Sequence, residues 1–248
     1  MTDIHRRLVK SASQLNLSKY KNQRAQPGQP YVPTRQEHLA NILSHLFMIP
    51  ASLYRMYTML SRSADSAQTI TSLIYGASGI CLFLISSLFH IFAFRGGPCQ
   101  LKEIFHRCDR VFIYIFIAAS YTPWLVLRDF EYDIGTSCMY TVWTAAILGI
   151  TYQLLFHEKH KWLEVSLYLV VGIAPGVLVS LRMKNPDGLF ELILGGAIYV
   201  FGVVFFKLDG ILPFAHAIWH LFVVAGAVLH FDAVATHLVG QIHDDMGF

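Results

Sequence analysis

Seven stretches of this chain are apolar over about 20 residues each, the length an α-helix needs to cross the hydrocarbon core of a bilayer. They lie at roughly 38–59, 70–94, 106–127, 137–157, 161–183, 189–207 and 212–238. Within lipid every backbone N–H and C=O must find its partner inside the segment, so helices are the economical way to span. Composition agrees: 54% of residues are hydrophobic and 14% charged, against roughly 25% charged in an average soluble domain. The first stretch is the most interrupted, by Asn41, His45 and Arg55. Pro50, Pro123 and Pro175 fall inside the first, third and fifth spans, where kinks are expected.

Charge placement predicts the orientation, because Lys and Arg accumulate on the cytosolic side of spanning helices. With a cytosolic N-terminus, fourteen basic residues fall inside and five outside. The inside set is Arg6, Arg7, Lys10, Lys19, Lys21, Arg24, Arg35, Arg95, Lys102, Arg107, Arg110, Lys159, Lys161 and Lys207. The outside set is Arg55, Arg62, Arg128, Arg182 and Lys184, with the acidic pair Asp244 and Asp245 beyond the last span. The expected fold is therefore an all-α membrane protein, a seven-transmembrane helix bundle with its C-terminus outside or lumenal. That is the reverse of the G-protein-coupled receptor topology. Residues 1–36 read as a disordered basic cytosolic tail, 37–240 as the membrane domain and 241–248 as a short non-cytosolic tail. The N-terminal residues lack an apolar signal-peptide core, so the first span is expected to direct insertion. Cys81, Cys99, Cys108 and Cys138 form no CxxC pair and read as reduced thiols. Linkers are too short for a separate domain, no internal repeat is visible, and no nucleic-acid partner is expected.

Ionisable groups inside spans cost several kcal/mol, which makes them functional candidates. The last span opens LPFAHAIWHLFVV, placing His216 and His220 four residues apart on one helix face. Neutral imidazoles at that spacing suit zinc. The pair alone leaves two readings open, a metal or hydrogen bonds to neighbouring helices and water. No glutamate stands between them, so this is not the HExxH protease motif. The second span ends SSLFHIFAF, with Ser86 and His90 again four apart. It runs toward the inside and the last span runs away from it, so His90, His216 and His220 share one depth near the cytosolic face. Asp109 opens the third span at the same depth. It can pair with Arg107 or Arg110, or hold and deprotonate a water on the metal. Three histidines with an open fourth position match a catalytic zinc site, where zinc lowers the pKa of bound water to about 7. Ser86 would hydrogen-bond that water or a ligand. Glu37, Asn41 and His45 form a polar stripe along the first span, expected to pin it to the second and last spans. His106 is expected to be solvated, and His157 and His160 interfacial.

These residues together resemble the progestin and adipoQ receptor family, which takes in adiponectin receptors and bacterial hemolysin III-like proteins. The resemblance covers roughly residues 31–238 and rests on Glu37–Asn41–His45, Ser86–His90, Asp109 and His216–His220. The stretches FIAASYTPWL (116–125) and GVVFFKLDGILPFAHAIWHLF (202–222) most resemble its monocyte to macrophage differentiation factor branch. The resemblance implies zinc held by His90, His216 and His220, with Asp109 and Ser86 around its water. It implies a ceramide-like membrane lipid as substrate, if the chain hydrolyses one, and a role in signalling with a protein partner the sequence does not identify. It also implies an endomembrane location (Golgi, late endosome or lysosome) over the plasma membrane. Two other readings are a signalling scaffold whose zinc is structural and a channel-like hemolysin. Against the channel, the two halves show no matching pair of broken helices.

Overall fold

Helix boundaries follow from caps and prolines written into the chain. A computed structural model describes residues 20–26, 29, 32–96 and 99–240. The acidic pair Asp244–Asp245, the tail 241–248 and most of the basic tail, including Arg6, Arg7, Lys10 and Lys19, lie outside the described residues. The helices are α1 (Arg35–Leu46), α2 (Met48–Arg62), α3 (Ser66–Arg95), α4 (Cys99–Leu127), α5 (Ile134–Phe156), α6 (Lys161–Arg182), α7 (Leu189–Lys207) and α8 (Ala215–His237). Thr34 starts α1, its hydroxyl accepting from the Glu37 amide at 3.2 Å. Asp65 starts α3 in the same way, accepting from the Gln68 amide at 2.7 Å. The Gln68 side-chain Oε1 in turn accepts from Ala64 N at 3.1 Å and from Gly240 N at 2.8 Å, tying the end of the described chain to α3. At its other end α3 stops on Gly96, whose φ of 64° is left-handed and natural for a glycine.

Among the described residues six helices, α3 to α8, are long and apolar enough to cross a membrane. The first expected span differs. Residues 38–59 belong to two consecutive helices of 12 and 15 residues that meet at Phe47. Pro50 explains the break: it has no N–H to donate to the Leu46 carbonyl four residues earlier, and its ring crowds that carbonyl. Pro123 and Pro175, by contrast, are carried inside α4 and α6.

The packing puts α3 against α1, α2 and α4, and α8 against α7 and α1. Close approach relies on small residues, as membrane helices generally do. A Cβ at Gly149 of α5 would sit 2.3 Å from the Tyr114 ring of α4, and one at Gly226 of α8 2.7 Å from the Tyr199 ring of α7. Leu148, Leu155, Leu181 and Phe201 are exposed on the outer faces, as side chains that meet lipid should be. The loops after α4 and α6 are joined by a bridge between Phe130 and Met183. Well inside, His230 of α8 links three helices: Trp124 Nε1 of α4 donates to its Nε2 at 3.1 Å, and its Nδ1 lies 2.7 Å from the Tyr75 hydroxyl of α3. Because Trp can only donate, the His230 proton must sit on Nδ1.

Candidate metal centre

The end of the bundle formed by the start of α4, α6 and α8 and the close of α3, α5 and α7 collects Arg95, Lys102, Arg107, Arg110, Lys159, Lys161 and Lys207. His90 lies in the last two turns of α3 and His216 and His220 in the first two turns of α8, so all three reach this same end. Ring centroids are 5.6 Å apart for His90–His216, 5.2 Å for His90–His220 and 4.8 Å for His216–His220. One ligand nitrogen from each lies within 4.8 Å of the others, making a group that could hold a metal ion. All three rings are buried, His90 completely.

Whether these residues suit a cation can be judged from what is unsatisfied. Neither ring nitrogen of His90 has a hydrogen-bond partner. A buried nitrogen left without a partner carries a desolvation penalty of about 1–3 kcal/mol. Ligation would satisfy one of the two, and neutral imidazole is a good zinc ligand. The group fits.

Asp109 stands in the third turn of α4, and Ser86, one turn before His90 on α3, lies within hydrogen-bonding reach of its carboxylate. The two arginines that could have claimed Asp109 turn elsewhere. Arg107 binds Glu103 at 2.7 Å and Arg110 binds Glu158 at 3.3 Å. Asp109 is not one of the residues of that metal group.

Helix α1 closes the site from the side. Glu37, Asn41 and His45 are all buried, and His45 stacks flat on His220 while meeting Phe83 edge to face at 5.1 Å. Ser44, which spacing alone did not single out, places its hydroxyl 3.0 Å from His220 Nδ1. His38 was missed as well; its ring meets His90 edge-on at 6.0 Å. Both flank the stripe by one residue, so an allowance for helix neighbours at i+1 and i−1 would have brought them in.

A second cluster corrects the expectation that His106 is solvated. His106 is buried and forms a chain with the α5–α6 turn. The Gln153 amide sits 2.8 Å from His157 Nδ1, His157 Nε2 is 3.1 Å from His106 Nδ1, and His106 Nε2 is 3.5 Å from Glu158. Burial pushes His157 down to about 4, so it stays neutral at ordinary pH. If Gln153 donates, each ring passes one N–H onward and the chain ends on a carboxylate. His106, His157 and Glu158 also lie close enough together for a metal. Their ring nitrogens, however, already have partners, and Glu158 is held by Arg110 and, at 2.7 Å, by Lys161. Two cations already on the cluster's own carboxylate disfavour a third. His160 is exposed.

Comparison with known proteins places these residues among relatives. The family described as haemolysin-III related matches residues 34–231, which takes in all of the residues named for the first centre. The chain is 43% identical over 229 residues to the human monocyte to macrophage differentiation factor, covering 92% of this chain and 95% of that one. It is 30% identical over 210 residues to Hemolysin-3 of Bacillus cereus, covering 82% and 93%. With the adiponectin receptor protein of Drosophila melanogaster it shares 24% identity over 221 residues, 79% of this chain and 49% of that one.

Proposed function

The chain belongs to the haemolysin-III related family, and from that premise we propose that it is a zinc-containing multi-pass membrane protein that hydrolyses a ceramide-like lipid amide in signalling on endomembranes. The observation that carries this reading is the meeting of His90, His216 and His220 in one buried group, with His90 lacking any hydrogen-bond partner. The residues around it divide the work. His90, His216 and His220 would hold the ion. Zinc bound there supplies Lewis acidity and lowers the pKa of a ligating water toward 7. Asp109 would serve as the base for the attacking water, and Ser86, in hydrogen-bonding reach of its carboxylate, would hold it in place. The basic end of the bundle would face the cytosol.

Metal analysis of purified protein beside a His90/His216/His220 triple alanine variant tests the centre, and a ceramide panel tests the chemistry. Zinc in the wild type alone is expected. Fatty-acid release should vanish in Asp109→Asn while zinc remains. Zinc binding with no release above the Asp109→Asn background overturns the hydrolase reading.

A second reading has its own support. The three imidazoles come from two helices, so a metal here would staple α3 to α8 whatever else it did. In a purely structural centre His216→Ala lowers thermal stability, and a folded Asp109→Asn protein keeps full signalling in cells.

A further inference from the structure

Ser44 is placed to decide which nitrogen of His220 can bind a metal. Its hydroxyl oxygen is 2.9 Å from the Asn41 carbonyl oxygen and 3.0 Å from His220 Nδ1. A carbonyl oxygen can only accept, and a hydroxyl has one hydrogen. That hydrogen is therefore directed at Asn41, in the i−3 back-bond that helical serines commonly make. The remaining contact is then completed from the ring side, by an Nδ1–H donating to the Ser44 oxygen, with the Asn41 carbonyl also within reach of the His220 ring. We infer that Ser44 is a positioning residue that holds His220 in its Nδ1–H form and leaves Nε2 as the lone-pair nitrogen available to the metal group.

The next residue adds a second restraint. The His45 ring lies parallel to His220 at 3.8 Å between centroids, so consecutive residues of α1 set both the tautomer and the plane of one imidazole. Donation of the non-ligating N–H to a fixed acceptor is how metal-binding histidines are usually oriented, and loss of such an acceptor typically costs 10–100-fold in affinity. Neither nitrogen of His90 has a comparable acceptor. The restraint on His220 thus gives α1, which contributes no ligand to the group, a direct part in metal affinity.

The inference rests on the zinc reading above, and the test separates the two. Zinc affinity of the purified, detergent-solubilised protein is measured by competition with a chromophoric chelator. It is compared for wild type, Ser44→Ala, Ser44→Thr and the triple histidine variant. The thermal midpoint of each metal-free protein and the visible absorption spectrum of its cobalt(II) form are recorded alongside. Ser44→Ala should bind zinc about 10–100-fold more weakly, with an altered cobalt spectrum. Ser44→Thr, which keeps the hydroxyl, should restore both affinity and spectrum. Wild-type affinity in Ser44→Ala, with zinc lost only in the triple variant, overturns the role of Ser44 and leaves the centre standing. A metal-free midpoint that falls in Ser44→Ala with no change in the cobalt spectrum makes Ser44 a packing contact and overturns the inference too. Equal zinc binding by wild type and the triple variant overturns the centre, and the inference with it.

Discussion

The imidazole of His45 lies flat on that of His220, 3.8 Å between centroids and 8° from parallel. The contact joins α1 to α8 at the depth of the candidate metal centre, and it does so with a ring whose two nitrogens are both buried and unpartnered. Two roles are compatible with a histidine in that position: a packing plate for His220, or a latent ligand.

Replacing His45 with phenylalanine tells them apart. Phenylalanine keeps a flat face against His220 and removes two unsatisfied polar atoms, an exchange that is nearly neutral or stabilising when shape is kept. The expected result is unchanged zinc stoichiometry and a thermal midpoint no lower than wild type. Loss of zinc from a folded His45→Phe protein would make His45 a ligand and rule out the packing role.

The sequence carried the membrane helices well, because length and hydropathy are properties of one segment at a time. The last three spans were expected at 161–183, 189–207 and 212–238 and run Lys161–Arg182, Leu189–Lys207 and Ala215–His237. The first span was read as continuous because hydropathy averages over a window, whereas the break at Phe47 depends on a single missing N–H at Pro50. The histidine group was legible for a similar reason: antiparallel helices place a residue by its distance from a helix end, and three histidines agreed in depth. What could not be read was rotation of one helix against another. Ser44 meets His220 and His106 meets His157 only through that rotation, which spacing within a helix does not report. Glu158 adds a further obstacle, since it reaches Arg110 from a left-handed turn position with φ 62°, a conformation that only Gly, Asn or Asp would have signalled.

Removing the metal should loosen the bundle. A ligand that binds only the folded chain stabilises it by RT ln(1 + [L]/Kd), and here it would join α3 to α8. Dialysis against a strong chelator is expected to lower the thermal midpoint of wild type by several degrees, with zinc readdition restoring it. The triple histidine variant should show neither change. An equal chelator effect on both proteins would place the stabilising ion elsewhere.

Glu158→Gln tests the second cluster. Glu158 is the anion that compensates the buried guanidinium of Arg110, and it also binds Lys161. Glutamine keeps the size but withdraws the charge, leaving Arg110 under-compensated at a cost of about 1–3 kcal/mol. A lower thermal midpoint with zinc stoichiometry unchanged is expected. If a second equivalent of metal is found in wild type and lost in Glu158→Gln, the cluster is a metal site after all and the electrostatic argument against it fails.

Asp209 offers a pH dependence with a definite sign. It lies in the turn between α7 and α8, where burial pushes its carboxyl from 3.8 up to about 6, while the hydrogen bond from Asn22 Nδ2 at 2.9 Å works in the opposite direction. A carboxyl raised in the fold holds its proton between about pH 4 and 6, where the unfolded chain has already released it. The folded state then binds more protons than the unfolded one, so stability falls as pH rises through that window and the full cost of the ionised form is present above 6. Asp209→Asn carries no charge and keeps an acceptor for Asn22. It should melt a few degrees above wild type at pH 7.5, and the gap should close by pH 4, where Asp209 is protonated in the folded protein. Melting curves of the two proteins across that range check it. A gap that does not change with pH would mean that the buried charge of Asp209 is not what the substitution relieves.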